Sequence, residues 1–107
     1  MIDEVGRVFA ALADPTRRRM VETLLREETA TVPSLTAALP ITRQAVAKHL
    51  SMLDVAGIVE RAPASGREVP YRLRRGALDP AAAWIQAAET AWDDRLTRLK
   101  DAVEQTD

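Results

Sequence analysis

The chain has 107 residues, no cysteine, and 15 basic against 16 acidic residues. This length predicts a single domain over residues 1–107, and the missing cysteines exclude disulfides, thiolate metal ligands and cysteine nucleophiles. No segment approaches the roughly 18 apolar residues of a membrane span and the N-terminus has no cleavage pattern, so we expect a cytoplasmic protein.

The first quarter of the chain predicts two short helices. Residues 3–12 carry apolar side chains at helical spacing. A second helix is predicted from Asp14, whose side chain can cap it, with Pro15 at the first helical position, where a missing N–H costs nothing. It should end near Arg26. Its predicted buried residues are Met20, Val21, Leu24 and Leu25.

A short helix predicted over Pro33–Leu39 leads into the most informative segment of the chain, Ile41–Val59. Thr42 can cap a helix there, and Gly57 can end it. The residues that recur at helical spacing and face inward are Val46, Leu50 and Leu53. Two helices joined by the turn at Leu39–Ile41 form a helix-turn-helix.

A β-hairpin is predicted next, from Ile58–Ala62 and Glu68–Leu73. These two runs flank the turn-rich spacer Pro63–Gly66. Pro70 cannot donate to a ladder, so we expect the second strand at an edge. A hairpin that follows a helix-turn-helix occupies the position of a wing.

The last part of the chain predicts a long helix over about residues 79–103, because Asp79 and Pro80 repeat the cap-plus-proline start. Its apolar stripe comprises Leu78, Ala81, Ile85, Ala88, Trp92, Leu96, Leu99 and Val103, with Trp84 beside it. Such near-heptad spacing needs a partner, either the body of the domain or the same helix of a second subunit. The predicted fold class is mainly α with a small β-hairpin.

The charges are unevenly distributed along the chain. Residues 17–75 hold 11 basic and 6 acidic residues, whereas residues 76–107 hold 3 basic and 7 acidic. This asymmetry favours a polyanion-binding face in the middle of the chain, with ordinary solvated surfaces as the alternative.

The outward side of the second helix of the helix-turn-helix suits the major groove of DNA. The side chains that project there are Arg43, Gln44, Ala47, Lys48 and Ser51. Arginine can bond guanine through two hydrogen bonds, glutamine can bond adenine in the same way, and a small alanine lets the helix approach closely. The alternative is the solvated surface of a core helix.

Arginines in the wing extend this basic surface. Arg67 follows Gly66 at the hairpin tip and is the best candidate for a phosphate or minor-groove contact. Arg61 lies on the first strand. The arginines within Arg72–Arg75 have an alternative role, which is to pair with acids on the last helix.

Two further basic features need an interpretation. In the run Arg17–Arg19 the side chains point about 100° apart, so we expect one to tie its helix to the body and leave open whether another meets phosphate. His49 is the one histidine and lies between the outward face and the core. This position suits a packed or phosphate-bonded imidazole better than a metal ligand or a catalytic base.

Three stretches of the chain together resemble the ArsR/SmtB family of bacterial winged helix-turn-helix repressors. The segment Ala11–Met20, ALADPTRRRM, is similar to the family's opening motif. Ala45–Leu53 with Ala56–Val59 is similar to its recognition-helix motif. Gly66-Arg67 with Tyr71–Leu73 is similar to its wing. The three motifs follow one another in the expected order and cover most of the chain.

The resemblance implies a homodimer, built from the first and last helices, that represses transcription by occupying an operator, often at its own promoter. The segment it implies for DNA reading contains Thr42, Arg43, Gln44, Ala47, Lys48 and His49, with Arg67 on the wing. The dimer interface that we infer from it includes Val5, Phe9, Ile85, Ala88, Trp92, Leu96 and Leu99.

The chain departs from the metal-sensing members of that family. Residues 32–39 contain no cysteine pair, and the last helix has no histidine. The carboxylates of that helix, Glu89, Asp93, Asp94 and Asp101, would alone hold a transition metal poorly. We therefore expect no metal and no cofactor. The chain instead resembles a cysteine-free branch whose inducers are mostly undefined.

The leading functional hypothesis is a dimeric, sequence-specific transcriptional regulator that binds a palindromic double-stranded DNA operator. The alternative is a winged-helix module for protein–protein interaction, which the near-neutral net charge supports. We do not expect an enzyme, because the sequence offers no nucleophile-base pair, metal cluster or glycine-rich phosphate loop.

Overall fold

The structure, a computed structural model, describes residues 3–64 and 66–105, so Ser65 of the predicted turn lies outside the described residues. The described elements are α1 (Glu4–Leu12), α2 (Pro15–Glu27), α3 (Val32–Ala38), α4 (Arg43–Val55), β1 (Val59–Arg61), β2 (Tyr71–Leu73) and α5 (Asp79–Glu104). The predicted fold class is confirmed, since the chain is mainly α with one antiparallel hairpin.

Side-chain caps define where the first four helices begin. The capping residues are Asp3, Asp14, Thr31 and Thr42, which accept hydrogen bonds from the backbone N–H groups of Gly6, Arg17, Ser34 and Ala45 respectively. Each cap satisfies one of the N–H groups that have no partner within the helix. The predicted caps at Asp14 and Thr42 are therefore confirmed.

Two helices begin differently from the prediction. α3 starts at Val32 rather than Pro33, because Thr31 and Ser34 bond each other's backbone N–H in a capping box. α5 has Leu78 as its N-cap, without a side-chain bond, so the predicted cap at Asp79 is wrong. Asp79 lies inside the first turn instead, where its negative charge favours the positive end of the helix dipole.

The hydrophobic core lies where α2, α3, α4 and β1 meet. Its fully buried side chains include Met20, Leu24, Leu35, Val46, Leu50, Leu53, Ile58 and Val59. Leu25 was predicted to join them, but it is 64% exposed. It lies about 100° around α2 from Leu24, outside the arc of Met20, Val21 and Leu24 that faces the core.

The hairpin pairs β1 with β2 antiparallel, with Val59 opposite Leu73 and Arg61 opposite Tyr71. Both strands are shorter than predicted. Tyr71 also exchanges two backbone hydrogen bonds with Ala30, of 2.7 and 3.0 Å. The second strand lies at an edge of this two-stranded sheet, as expected, and an isolated bridge joins Tyr71 to Ala30 on its outer side.

α5 extends away from the body of the domain. Its one buried residue is Ala81, and the side chains of Ile85, Trp92, Leu96 and Leu99 are exposed. Near its start the ring of Trp84 meets that of Phe9 on α1 edge to face, with centroids 5.8 Å apart. The long helix gives the molecule dimensions of 73 × 29 × 25 Å. In the described part of the chain, no helix is both long and apolar enough to cross a bilayer.

Candidate nucleic-acid interface

The outer face of α4 is polar and exposed, while its inner face is sealed in the core. Val46 and Leu53 are completely buried, and Leu50 nearly so. The predicted reading residues that the structure leaves exposed are Thr42, Arg43, Gln44, Ala47, Lys48 and Ser51. Four of them, Arg43, Gln44, Ala47 and Lys48, belong to the first two turns of the helix. This arrangement offers cationic and amide groups around a small residue.

The helix-turn-helix geometry follows from short-range bonds at the junction of α3 and α4. Leu39 has an extended backbone and donates its N–H to the carbonyl of Leu35, and Ile41 donates to Leu39. Leu39 and Ile41 are half-buried against the core cluster. Thr42 then caps α4 at 3.1 Å from the N–H of Ala45. Packing of Leu39 and Ile41 on either side of the turn fixes the orientation of α4 relative to α3.

Two of the predicted reading residues lie in a different environment from the others. His49 is half-buried, with its Nδ1 3.4 Å from Nη1 of Arg17. Ser51 is exposed but lines a groove between α4 and α1. The structure therefore brings together the first two turns of α4, and sets His49 behind them and Ser51 beside α1.

Arg17 and Arg18 both bond the end of α1, where the sequence predicted a single tie. Arg18 donates Nη1 to the carbonyls of Leu12 and Ala13 at 2.7 and 3.0 Å. Arg17 is buried and donates Nε to the carbonyl of Ala11 at 2.6 Å. Arg19 is exposed. Unlike those of Arg17 and Arg18, its side chain bonds no backbone carbonyl among the described residues.

The wing carries an acidic residue that the sequence interpretation missed. Glu60 lies opposite Arg72 in the hairpin and accepts its Nε at 2.8 Å, with Arg74 at 3.5 Å. The alternative role of pairing with the last helix is therefore wrong for Arg72 and Arg74, because the neighbouring strand supplies their carboxylate. The cross-strand register would have revealed the pair, since directly opposed side chains interact.

Arg61, Arg67 and Arg75 are the exposed arginines of the wing and its end without an ion pair among residues 3–64 and 66–105. Arg67 follows Gly66, whose φ of +89° is a backbone conformation that favours glycine. The glycine turns the chain and leaves the Arg67 side chain in solvent. Its position agrees with the predicted place at the hairpin tip.

The electrostatics of the interface include one perturbed carboxyl. The backbone N–H of Arg17 holds the pKa of Asp14 below its ordinary value, and the nearby charges of Arg17 and His49 act in the same direction. This agrees with its role as the cap of α2, because an ionised carboxylate accepts that N–H more strongly than a neutral one. Among the described residues, no three His, Cys, Asp or Glu side chains are grouped as metal ligands would be.

A buried helix-turn-helix scaffold, an exposed polar recognition helix and a basic hairpin define a winged helix-turn-helix transcription regulator that binds DNA. The comparisons with known proteins agree, since residues 12–62 match a helix-turn-helix domain family. The chain belongs to the ArsR family of these regulators. The similar proteins described next are transcriptional regulators.

Two similar proteins support this assignment by sequence. An ArsR-like transcriptional regulator from Rhodococcus sp. RHA1 has 38% identity and a TM-score of 0.80, over 96% of this chain and 95% of that one. YuzN of Bacillus subtilis (strain 168), an uncharacterized HTH-type transcriptional regulator, is 42% identical over 72 residues, which span 62% of this chain and 74% of that protein.

A third protein supports the fold alone. The winged helix-turn-helix DNA-binding domain of Mb0332 from Mycobacterium bovis, a possible ArsR-family regulator, has 24% identity and a TM-score of 0.62. The similarity covers 88% of this chain and 82% of that one. The Mb0332 domain is homodimeric.

Proposed function

We propose that this protein is a homodimeric repressor that occupies a palindromic operator, with residues 1–107 acting as one domain and α5 as its dimerisation helix. The observation that carries the proposal is the combination of two exposed surfaces. One is the polar face of α4, and the other is the apolar stripe of α5, on which Trp92 is 57% exposed. A two-fold dimer would present two recognition helices to a symmetric site.

The dimer part of the proposal rests on surface that a single copy leaves uncovered. The proposed interface residues on α5 are exposed, and on α1 Phe9 is exposed while Val5 is half-buried. Large aromatic and aliphatic side chains are enriched at the centres of protein interfaces. The homodimeric Mb0332 domain has a related fold and supports the same assembly here.

In the proposed complex α4 lies in the major groove and the wing lies over the flanking backbone. We assign base and phosphate contacts in the major groove to Thr42, Arg43, Gln44, Ala47, Lys48, His49 and Ser51, and a backbone contact to Arg67. No metal or cofactor has a part in this function, and an inducer has no assigned site. Since its relatives are bacterial, we place the protein in the cytoplasm, where the chromosome lies.

The second candidate function is a protein-interaction module, and the charge balance of the wing favours it. Glu60 neutralises part of the charge of Arg72 and Arg74, and the whole chain has a net charge of −1. Salt separates the two functions. DNA binding that releases several counterions weakens steeply as salt rises, whereas a largely apolar protein interface does not.

The decisive experiment is selection of bound sequences from a random duplex pool with the purified full chain. We expect a palindrome to be recovered, because each half-site meets one copy of α4. A palindrome would establish sequence specificity, two-fold symmetry and half-site spacing together. Recovery of random sequences at moderate salt would refute the proposal.

A further inference from the structure

The recognition helix and the first helix are separated along part of their length. A groove of about 290 Å³ lies between α1 and the C-terminal half of α4, with Ala10 on one side and Met52 and Val55 on the other. α1 packs mainly against α2 and α5, and α4 packs mainly against α2, α3 and β1. α2 thus contacts both helices, and a direct link between α1 and α4 depends on a side chain that crosses this groove.

Arg17 is that side chain. Its guanidinium donates Nε to the carbonyl of Ala11 at 2.6 Å and Nη2 to the carbonyl of Ala10 at 3.3 Å. Its Nη1 lies 3.4 Å from both Nδ1 of His49 and Sδ of Met52 on α4. The residue is only 9% exposed, so these contacts are shielded from competing water. One rigid, planar group thus joins the end of α1 to the middle of α4.

We propose that Arg17 is a positioning residue for DNA reading, which sets the placement of α4 relative to α1. The inference rests on the proposed function, because α1 belongs to the proposed dimer interface. In the proposed dimer the contact between the two copies sets the position of each α1. Arg17 then sets the position of each α4 relative to its own α1, and so the spacing between the two recognition helices. Arg17 is buried, so it contributes to DNA affinity without touching DNA.

The next residue in the chain provides a matched control. Arg18 also donates to backbone carbonyls at the end of α1, those of Leu12 and Ala13, but its contacts stay at the joint between α1 and α2. Arg18→Met therefore removes hydrogen bonds of the same kind without altering a contact to α4. Arg17→Met removes the bridge itself.

The first measurement is the distance between α1 and α4 in solution. The chain has no native cysteine, so spin labels can be attached at Glu4→Cys and Asp54→Cys, both on exposed positions of these helices. Labelled protein is diluted with excess unlabelled protein, so that the distance is measured within one copy. We expect a narrow distribution for the wild type and Arg18→Met, and a broader or shifted one for Arg17→Met.

The second measurement is DNA affinity as a function of salt, on a duplex recovered by the selection. We expect Arg17→Met to lose on the order of tenfold in affinity, within the usual range of couplings between sites. The slope of affinity against salt should not change, because the number of phosphate contacts is the same. Arg17→Lys can bond one carbonyl but cannot span both helices, so it should recover the unfolding temperature more than the DNA affinity.

The outcomes separate this proposal from the proposed function. An unchanged distance distribution in folded Arg17→Met would overturn the positioning role, and so would a shallower salt slope, which would mean a direct phosphate contact. If Arg17→Met does not fold, Arg17→Lys is measured in the same two ways. The distances need no DNA, so a wild type without sequence-specific binding would refute the proposed function while the distances still decide the role of Arg17.

Discussion

At the scale of single residues, Glu60 determines how much of the positive charge of the wing is available to a phosphate. It contacts Arg72 and Arg74 at 2.8 and 3.5 Å, and all three side chains are at least about a third exposed. Exposed ion pairs contribute little to stability, typically about 1 kcal/mol or less. The pairing therefore acts mainly on the electrostatic field that DNA meets.

We predict that Glu60→Gln raises affinity for all duplexes and steepens its salt dependence, because two arginines become free to neutralise phosphates. Stability should change by less than about 1 kcal/mol. The check is fluorescence anisotropy of DNA binding at several salt concentrations. Glu68→Gln removes an exposed wing carboxylate that is not part of this ion pair, and it should change the salt slope much less. Equal effects of both variants would contradict the prediction.

A second residue-scale prediction concerns acid stability. The pKa of Asp14 is lowered in the folded state, chiefly by the hydrogen bond from the N–H of Arg17. A lowered folded pKa contributes stability that is present above the ordinary value of 3.8 and is lost as pH falls below it. The unfolding temperature of the wild type should therefore drop below that pH. Asp14→Asn, which keeps a cap without the titrating group, should show a weaker drop in the same scan.

At the scale of elements, the end of α4 depends on one glycine. Gly57 has a φ of +78°, and an added Cβ would meet no atom within 4 Å. Any penalty for a side chain therefore comes from the backbone conformation rather than from a clash. The glycine turns the chain directly from the recognition helix into β1.

We predict that Gly57→Ala lowers the free energy of unfolding by about 1–2 kcal/mol, the cost of a left-handed conformation for an L-residue. Gly57→Asn should cost less, since asparagine tolerates this region better. Urea denaturation of the three proteins checks both values. An alanine variant as stable as the wild type would show that the chain can leave α4 by another backbone path.

The stripe of α5 has a symmetric spacing. From Ala81 through Ile85, Ala88, Trp92, Leu96 and Leu99 to Val103 the steps are four, three, four, four, three and four residues. The spacing of the apolar residues is therefore the same in both directions from Trp92. Ala81 is buried in its own domain, but an antiparallel pair of α5 helices in the proposed dimer would match the exposed residues Ile85 with Leu99, Ala88 with Leu96, and Trp92 with its copy.

We predict the corresponding crosslinks in a chain that has no cysteine of its own. Trp92→Cys should form a disulfide between two copies, and a mixture of Ile85→Cys and Leu99→Cys should do the same. Leu99→Cys alone should not, whereas a parallel pair would crosslink it readily. Thr97→Cys, on the opposite side of the helix, serves as the control. Non-reducing electrophoresis after mild oxidation separates these outcomes.

The sequence patterns predicted which helices and strands form better than where each one begins and ends and which residues it contacts. Thr42 and Gly57 bounded α4 correctly, because cap and left-handed glycine are local requirements. The predicted cap at Asp79 was wrong because the chain enters α5 through backbone turns, which need no side-chain cap. The bonds of Arg17 to α4 and of Tyr71 to Ala30 join residues far apart in sequence, so no local pattern encodes them. For the candidate site, helical periodicity identified the exposed residues, but not that His49 faces Arg17.

At the scale of the whole molecule, the proposed assembly depends on surface that lies outside the core of one copy. We predict that Trp92→Asp, which places a charge in the proposed contact, gives a monomer in sedimentation analysis and loses most of its operator affinity. Thr97→Asp should leave both properties close to those of the wild type. A wild type that is monomeric at micromolar concentration would contradict the two-fold model, whatever the variants show.

Because the stripe of α5 is uncovered in a single copy, the concentration of the protein can itself regulate how much of an operator is occupied. If only a second copy covers it, folding and association are linked, and the unfolding temperature should rise with protein concentration. Occupancy of an operator would then respond more steeply than in proportion to the number of chains in the cell, because assembly precedes binding. A modest change in synthesis or degradation could switch such a promoter without any small-molecule signal.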